Sequence, residues 1–241
     1  MIGVSTLDRF DADRVSRPEA PWAALRRRFA GRYAVDPFGL DPQLADLVAP
    51  VGRAVVRVRV VGGEFVPAAG AATIVANRGF GIAEPSALSI AVHEASGRRL
   101  RVVGAPAVPF VGGALRRLGS IAATAEDVSA VLRAGHLVGV PFSPTWLRTD
   151  AGEPPHALMP ALTHARIIPA AVTRNGPLGT SLAWRVEFGP LVTIDEEYDP
   201  DDPLAAARFA QAMFGAVRDL IESARRGPDT NLGGDAGDRR P

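Results

Sequence analysis

Two hydrophobic periods run along the chain, and the points where they change mark its elements. Residues 71–76 are apolar almost throughout, as a strand buried on both faces would be. They break into Asn77-Arg78-Gly79-Phe80-Gly81, a glycine-rich loop. Residues 100–103, 137–140 and 167–172 repeat the apolar run, 120–123 is a shorter one, and 183–194 carries the last and longest strand. Residues 54–60 alternate in part and read as an edge or half-buried strand. Helical spacing predicts 42–48, capped by Asp41, and 85–94, closed near Gly97. It also predicts 125–133, capped by Thr124, with Asp127 in the capping-box position and Gly135 as the stop. Residues 108–118 fit either a helix or an apolar hairpin. A last helix starts at Asp202-Pro203 and runs to about residue 225, with Phe209, Met213, Val217 and Leu220 as its core-facing stripe. Strands alternating with helices predict an α/β fold, a mostly parallel central sheet flanked by helices.

Upstream, Ser16-Arg17-Pro18-Glu19 forms a capping-box signature. Trp22, Leu25, Phe29 and Tyr33 follow on one helix face, ringed by Arg26, Arg27, Arg28 and Arg32. Two readings are open. The helix lies on anionic lipid with Trp22 and Phe29 as membrane contacts, or it packs on its own domain and solvates its basic face. Residues 1–17 read as a flexible arm. Residues 227–241, rich in Gly, Asp and Arg, read as a disordered tail. One folded domain is expected over residues 18–226.

Composition narrows the chemistry. Of 241 residues, 47% are hydrophobic and 22% charged, so a full core is expected. A net charge of +1 gives no electrostatic case for nucleic acid. All 27 cationic residues are arginines, which excludes Schiff-base lysine chemistry. Cysteine is absent, which excludes disulfides, thiolate nucleophiles and Cys-based metal sites. His93, His136, His156 and His164 show no metal-ligand spacing, so no metal is expected. No apolar run reaches the roughly 18–20 residues that span a bilayer. The expectation is a cytoplasmic protein, soluble or peripheral on the inner face of the cell membrane.

Four blocks, in order, carry a family resemblance: Tyr33-Ala34-Val35-Asp36-Pro37-Phe38-Gly39-Leu40-Asp41-Pro42, Val75-Ala76-Asn77, Ala134-Gly135-His136-Leu137-Val138-Gly139-Val140, and Ala165-Arg166-Ile167-Ile168-Pro169-Ala170-Ala171-Val172. Their order and spacing resemble the PlsC-like glycerolipid acyltransferases over about residues 32–195. The resemblance implies transfer of an acyl group from acyl-CoA or acyl-carrier protein, as co-substrate, to a lysophospholipid hydroxyl, with no cofactor. In that family the first strand delivers a histidine general base, whose pKa near neutrality suits it to take the hydroxyl proton. An aspartate a few residues later orients it. Here Arg78 stands at the histidine position, and a guanidinium has no acceptor lone pair. Pro85 stands at the aspartate position, with Glu84 beside it. Val140-Pro141-Phe142-Ser143-Pro144 occupies the place of the family's Phe-Pro-Glu-Gly motif, with Ser143 for its glutamate, and Arg148 is the nearest arginine behind it. The candidate substrate-binding set is therefore Asn77, Arg78, Ser143 and Arg148, and the candidate catalytic residues are Glu84 and His156.

Two functions stay open on this basis. One is acyl-CoA-dependent O-acyl transfer by an impaired enzyme. The other is a non-catalytic lipid- or acyl-binding pseudoenzyme that regulates or pairs with an active homologous acyltransferase, with an anionic membrane surface as a further partner. A rival pattern, Gly79-Phe80-Gly81 after a strand, is part of a dinucleotide fingerprint. Glu84 takes the place of its third glycine, and Arg101 lies where an acidic ribose ligand belongs.

Overall fold

The structure, a computed structural model, describes residues 26, 30, 35–77, 83–104, 111–142, 166–174, 183–193 and 202–226. The expected N-terminal helix (apart from Arg26 and Ala30), the arm and the tail lie outside the described residues. The elements are α1 (Pro42–Val55), β1 (Arg57–Val61), a 3-10 turn (Gly63–Phe65), β2 (Ala72–Asn77), α2 (Ala83–Ser96), β3 (Leu100–Val103), α3 (Val111–Arg117), β4 (Ser120–Ile121), α4 (Ala125–Arg133), β5 (Leu137–Phe142), β6 (Arg166–Arg174), β7 (Ala183–Phe188) and α5 (Pro203–Arg226).

The strands form one seven-stranded sheet in the order β1-β7-β6-β2-β5-β3-β4. Pairs β6-β2, β2-β5, β5-β3 and β3-β4 are parallel, β6-β7 is antiparallel, and β1 runs parallel to β7. The mostly parallel α/β fold expected from the sequence is the one observed. The central strands are apolar on both faces because both faces are covered. One face packs Val75, Val138, Val140 and Ile167 against Val128, Val131 and Leu132 of α4 and Phe209, Met213 and Val217 of α5. The other packs Ile74, Ala76, Ile168, Trp184 and Val186 against Ala87, Leu88, Ala91 and Val92 of α2. Burying each large apolar side chain contributes roughly 1.5–3 kcal/mol. The α5 stripe read from the sequence, Phe209, Met213 and Val217, thus seats this helix on the core.

Capping follows the sequence closely. Asp41 Oδ1 accepts from Leu44 N at 2.9 Å, and Thr124 Oγ1 accepts from Asp127 N at 3.2 Å. Several boundaries differ from expectation. The helix after Asp41 runs to Val55 rather than residue 48, and the strand starts at Arg57 rather than 54. The strand begins only where a neighbour exists, since Arg57 is opposite Ala183, the first residue of β7. Strand β7 stops at Phe188 rather than reaching 194. Gly189 follows, with a virtual Cβ 3.0 Å from Leu220 Cδ1, and then Pro190, which has no N–H for the ladder. Pairing resumes for one residue, Val192 opposite Ile167. Strand β4 is two residues, not four, and the 108–118 segment resolves as helix over Val111–Arg117.

The edge of the sheet where β2, β3 and β5 begin is held by charge. Arg98, only 7% exposed, donates from Nη1 to Pro67 O (3.2 Å) and Gly70 O (2.7 Å), and from Nη2 to Gly135 O (2.6 Å). It thereby ties the loops that enter β2 and β5 to its own, which enters β3. Arg101 of β3 and Asp36, both buried, form an ion pair. The other Asp36 oxygen accepts from Phe38 N (3.0 Å) and Leu40 N (2.8 Å), folding the Asp36-to-Asp41 turn. Arg99 pairs with Asp46 of α1 at 2.5 Å. Gly62 closes β1 with φ +69, and a Cβ there would lie 2.2 Å from Phe188 O, so this turn admits only glycine.

Candidate functional site

Strands β2 and β5 end together at the opposite edge, with Asn77 in register with Phe142, while β6 runs on past Ala170, the partner of Ala76, to Arg174. The chain leaves β2 toward β3 and leaves β5 toward β6, on opposite sides of β2. Open α/β sheets bind ligands in the crevice made at such a reversal. Asn77 stands at this reversal. Its Nδ2 donates to Val172 O at 2.9 Å, and its Oδ1 accepts from Val172 N at 2.7 Å. The carboxamide mimics a peptide group and adds one rung to the β2-β6 ladder beyond the last backbone pair. This fixes where the chain departs into the segment that contains Arg78.

That clamp is testable. Asn77→Ala leaves both Val172 groups without their partner, and a loss of roughly 1–3 kcal/mol is expected. Amide exchange at Val172 should accelerate well beyond that at Ile168, in mid-strand. Uniform acceleration along β6 would mean that Asn77 acts on global stability alone.

Glu84 lies in the first turn of α2, half-buried, at this same edge. Ser89 Oγ donates to Pro85 O at 2.8 Å and steadies that turn, where Pro85 leaves the α2 backbone one N–H short. The structure therefore brings Asn77 and Glu84 to one end of the sheet. His93 lies ten residues into α2, about 15 Å from its start at a rise of 1.5 Å per residue. Its carbonyl accepts from Gly97 N at the far end of the helix. His136 precedes β5 and stacks edge-on against Phe38, with ring centroids 5.5 Å apart. Both sit toward the strand-entry edge. Trp22, Phe29, Arg78, Ser143, Arg148, His156 and His164 lie outside the described residues. Among the described residues, no cluster of His, Asp or Glu could hold a metal ion. No helix among them is long and apolar enough to cross a membrane.

Sequence reading missed two residues at this edge. Arg174, the last residue of β6, is exposed, and its register partner on β7 is Trp184, which is buried. The antiparallel register that pairs them cannot be read from hydrophobic pattern. Arg101, which the dinucleotide pattern would need as an acid near the ligand, is instead buried at the other edge of the sheet with Asp36.

No protein-family model matches the chain. Among solved structures it is similar to the 1-acyl-sn-glycerophosphate (LPA) acyltransferase PlsC from Thermotoga maritima. The TM-score is 0.51 and the identity 12%, over 86% of this chain and 89% of that one. At that identity the likeness is one of fold. Among curated proteins it is 30% identical over 254 aligned residues to the uncharacterized proteins Rv0502 of Mycobacterium tuberculosis (strain ATCC 25618 / H37Rv) and Mb0514 of Mycobacterium bovis (strain ATCC BAA-935 / AF2122/97). Each match covers 82% of this chain and 71% of the relative. The uncharacterized protein ML2427 of Mycobacterium leprae (strain TN) is 38% identical over 127 residues, 48% of this chain and 35% of that protein. With a PlsC-like fold and relatives matched over most of its length, the chain belongs to the family of the mycobacterial proteins Rv0502 and Mb0514.

Proposed function

We propose that this protein binds acyl lipid, or acyl-CoA, in the crevice at the end of β2 and does not run histidine-dependent acyl transfer. One observation carries the reading. The strand that should present a general base ends in Asn77, engaged with Val172, and continues into Arg78, which accepts no proton. Pro85 and Ser143 stand at the two further positions where the family resemblance calls for carboxylates. What remains is a scaffold of acyltransferase type with arginines at Arg78 and Arg148 in its sequence, suited to an anionic headgroup. The role that follows is a pseudoenzyme of glycerolipid metabolism, peripheral at an anionic membrane and pairing with or regulating an active acyltransferase.

The test is equilibrium binding of the purified full chain to oleoyl-lysophosphatidate and to oleoyl-CoA. Saturable binding of either, weakened by Arg78→Gln, is expected. Binding of neither would remove the proposal.

A further inference from the structure

We propose that Arg174 and Trp184 form an anion subsite at the ligand-bearing edge, taking the phosphate-type headgroup of a bound acyl lipid. The lipid part of this inference rests on the proposed function; the subsite rests on its own geometry. Antiparallel register sets Arg174 opposite Trp184, so both side chains leave one face of the sheet, with Cα atoms about 4.5–5.5 Å apart. That face is the one covered by α2, since Trp184 shares its core cluster with Ala87, Leu88 and Val172. Val172 is also the residue whose backbone Asn77 clamps, so the pair borders the end of β2.

Each residue of the pair carries a donor that lacks an acceptor among the described residues. Trp184 is 7% exposed, and its Nε1 is shut from solvent with no hydrogen-bond partner among the described residues. Native folds rarely leave a buried donor unpaired, and an indole N–H has nothing to do but donate. Arg174 is exposed and has no acidic partner among the described residues. Other described arginines have one: Arg185 donates to Glu187 at 2.8 Å, Arg99 to Asp46 and Arg101 to Asp36. A guanidinium fork and an indole donor on paired positions match a group that only accepts, with several oxygens on one centre. Phosphate fits that description and a neutral glyceride headgroup does not. The same chemistry is offered by a lipid phosphate and by the free anion, and the experiment separates them.

The chain holds three tryptophans, Trp22, Trp146 and Trp184, so an indole 1H–15N spectrum shows three cross-peaks, and Trp184→Phe assigns one of them. Oleoyl-lysophosphatidate, monooleoylglycerol and inorganic phosphate are titrated in turn into the full chain. The Trp184 proton is expected to move downfield with lysophosphatidate, to stay in place with monooleoylglycerol, and to respond to inorganic phosphate only at far higher concentration. Arg174→Gln, at an exposed position, should weaken lysophosphatidate binding about tenfold with an unchanged melting temperature. A Trp184 signal that stays put while lysophosphatidate binds would overturn the subsite and leave the proposed function standing. Equal response to inorganic phosphate and lysophosphatidate, or response to phosphate where no lipid binds, would overturn its assignment to a lipid.

Discussion

Asp36→Ala is expected to destabilise the protein by about 3–5 kcal/mol, the cost of leaving a buried charge without its partner. Arg101 is fully buried, and its Nε and Nη1 have no hydrogen-bond partner among the described residues. Asp36 therefore supplies the counter-charge, and also the acceptor that folds the turn through Phe38 and Leu40. The two roles separate by substitution. Asp36→Asn keeps an oxygen for the two backbone donors and removes the charge. It should recover only the turn's share, roughly 1–2 kcal/mol. Combining Asp36→Asn with Arg101→Met removes the stranded cation as well. The double variant should then be more stable than Asp36→Asn alone, because an apolar side chain of similar length replaces a buried ion. Urea midpoints for the wild type and the four variants, including Arg101→Met, measure the coupling. Strict additivity would show that the pair does not interact.

Arg98→Ala is expected to cost a similar amount, roughly 3–5 kcal/mol. Hydrogen bonds from a charged donor contribute about 1.5–3 kcal/mol each, and the three made by Arg98 share one group, so they do not simply add. The guanidinium reaches Pro67 O, Gly70 O and Gly135 O at once because its donors are held in a rigid fork. Arg98→Lys offers one ammonium for three carbonyls and should restore no more than half of the loss. The location of the damage is as informative as its size. Amides at Leu100 and Leu137, the starts of β3 and β5, should exchange faster, while those at Val186 and Phe188 of β7 change little. Equal exchange across the sheet would place the role of Arg98 elsewhere.

The frame of the fold was legible because its central strands are apolar on both faces, a pattern that parallel strands under two layers of helix require. Caps were legible for the same local reason, since Asp41 and Thr124 act within three residues of themselves. Boundaries set by partners were not. Val55 reads as strand until β7 is known to begin opposite Arg57, and the break after Phe188 depends on Leu220 of α5 pressing on Gly189. The candidate site divides in the same way. Arg78, at the position where the resemblance expects a base, is visible in the sequence, and so is Glu84 near it. The clamp of Asn77 on Val172 spans 95 residues, and the Arg174-Trp184 pair needs a register that no periodicity encodes. The burial of Arg98 and Arg101 was illegible for a related reason. Charge alone carries no sign of burial, and only the folded loops show which carbonyls and which carboxylate receive them.

The central proposal is that the PlsC-like fold is kept and acyl-transfer chemistry is not. Thiol release from oleoyl-CoA, followed with the full chain and a panel of lysophospholipids, tests it most directly. The account predicts release no faster than spontaneous hydrolysis under conditions where oleoyl-CoA or lysophosphatidate is bound. Acceptor-dependent turnover that disappears in Glu84→Gln or His156→Ala would contradict it and identify the base.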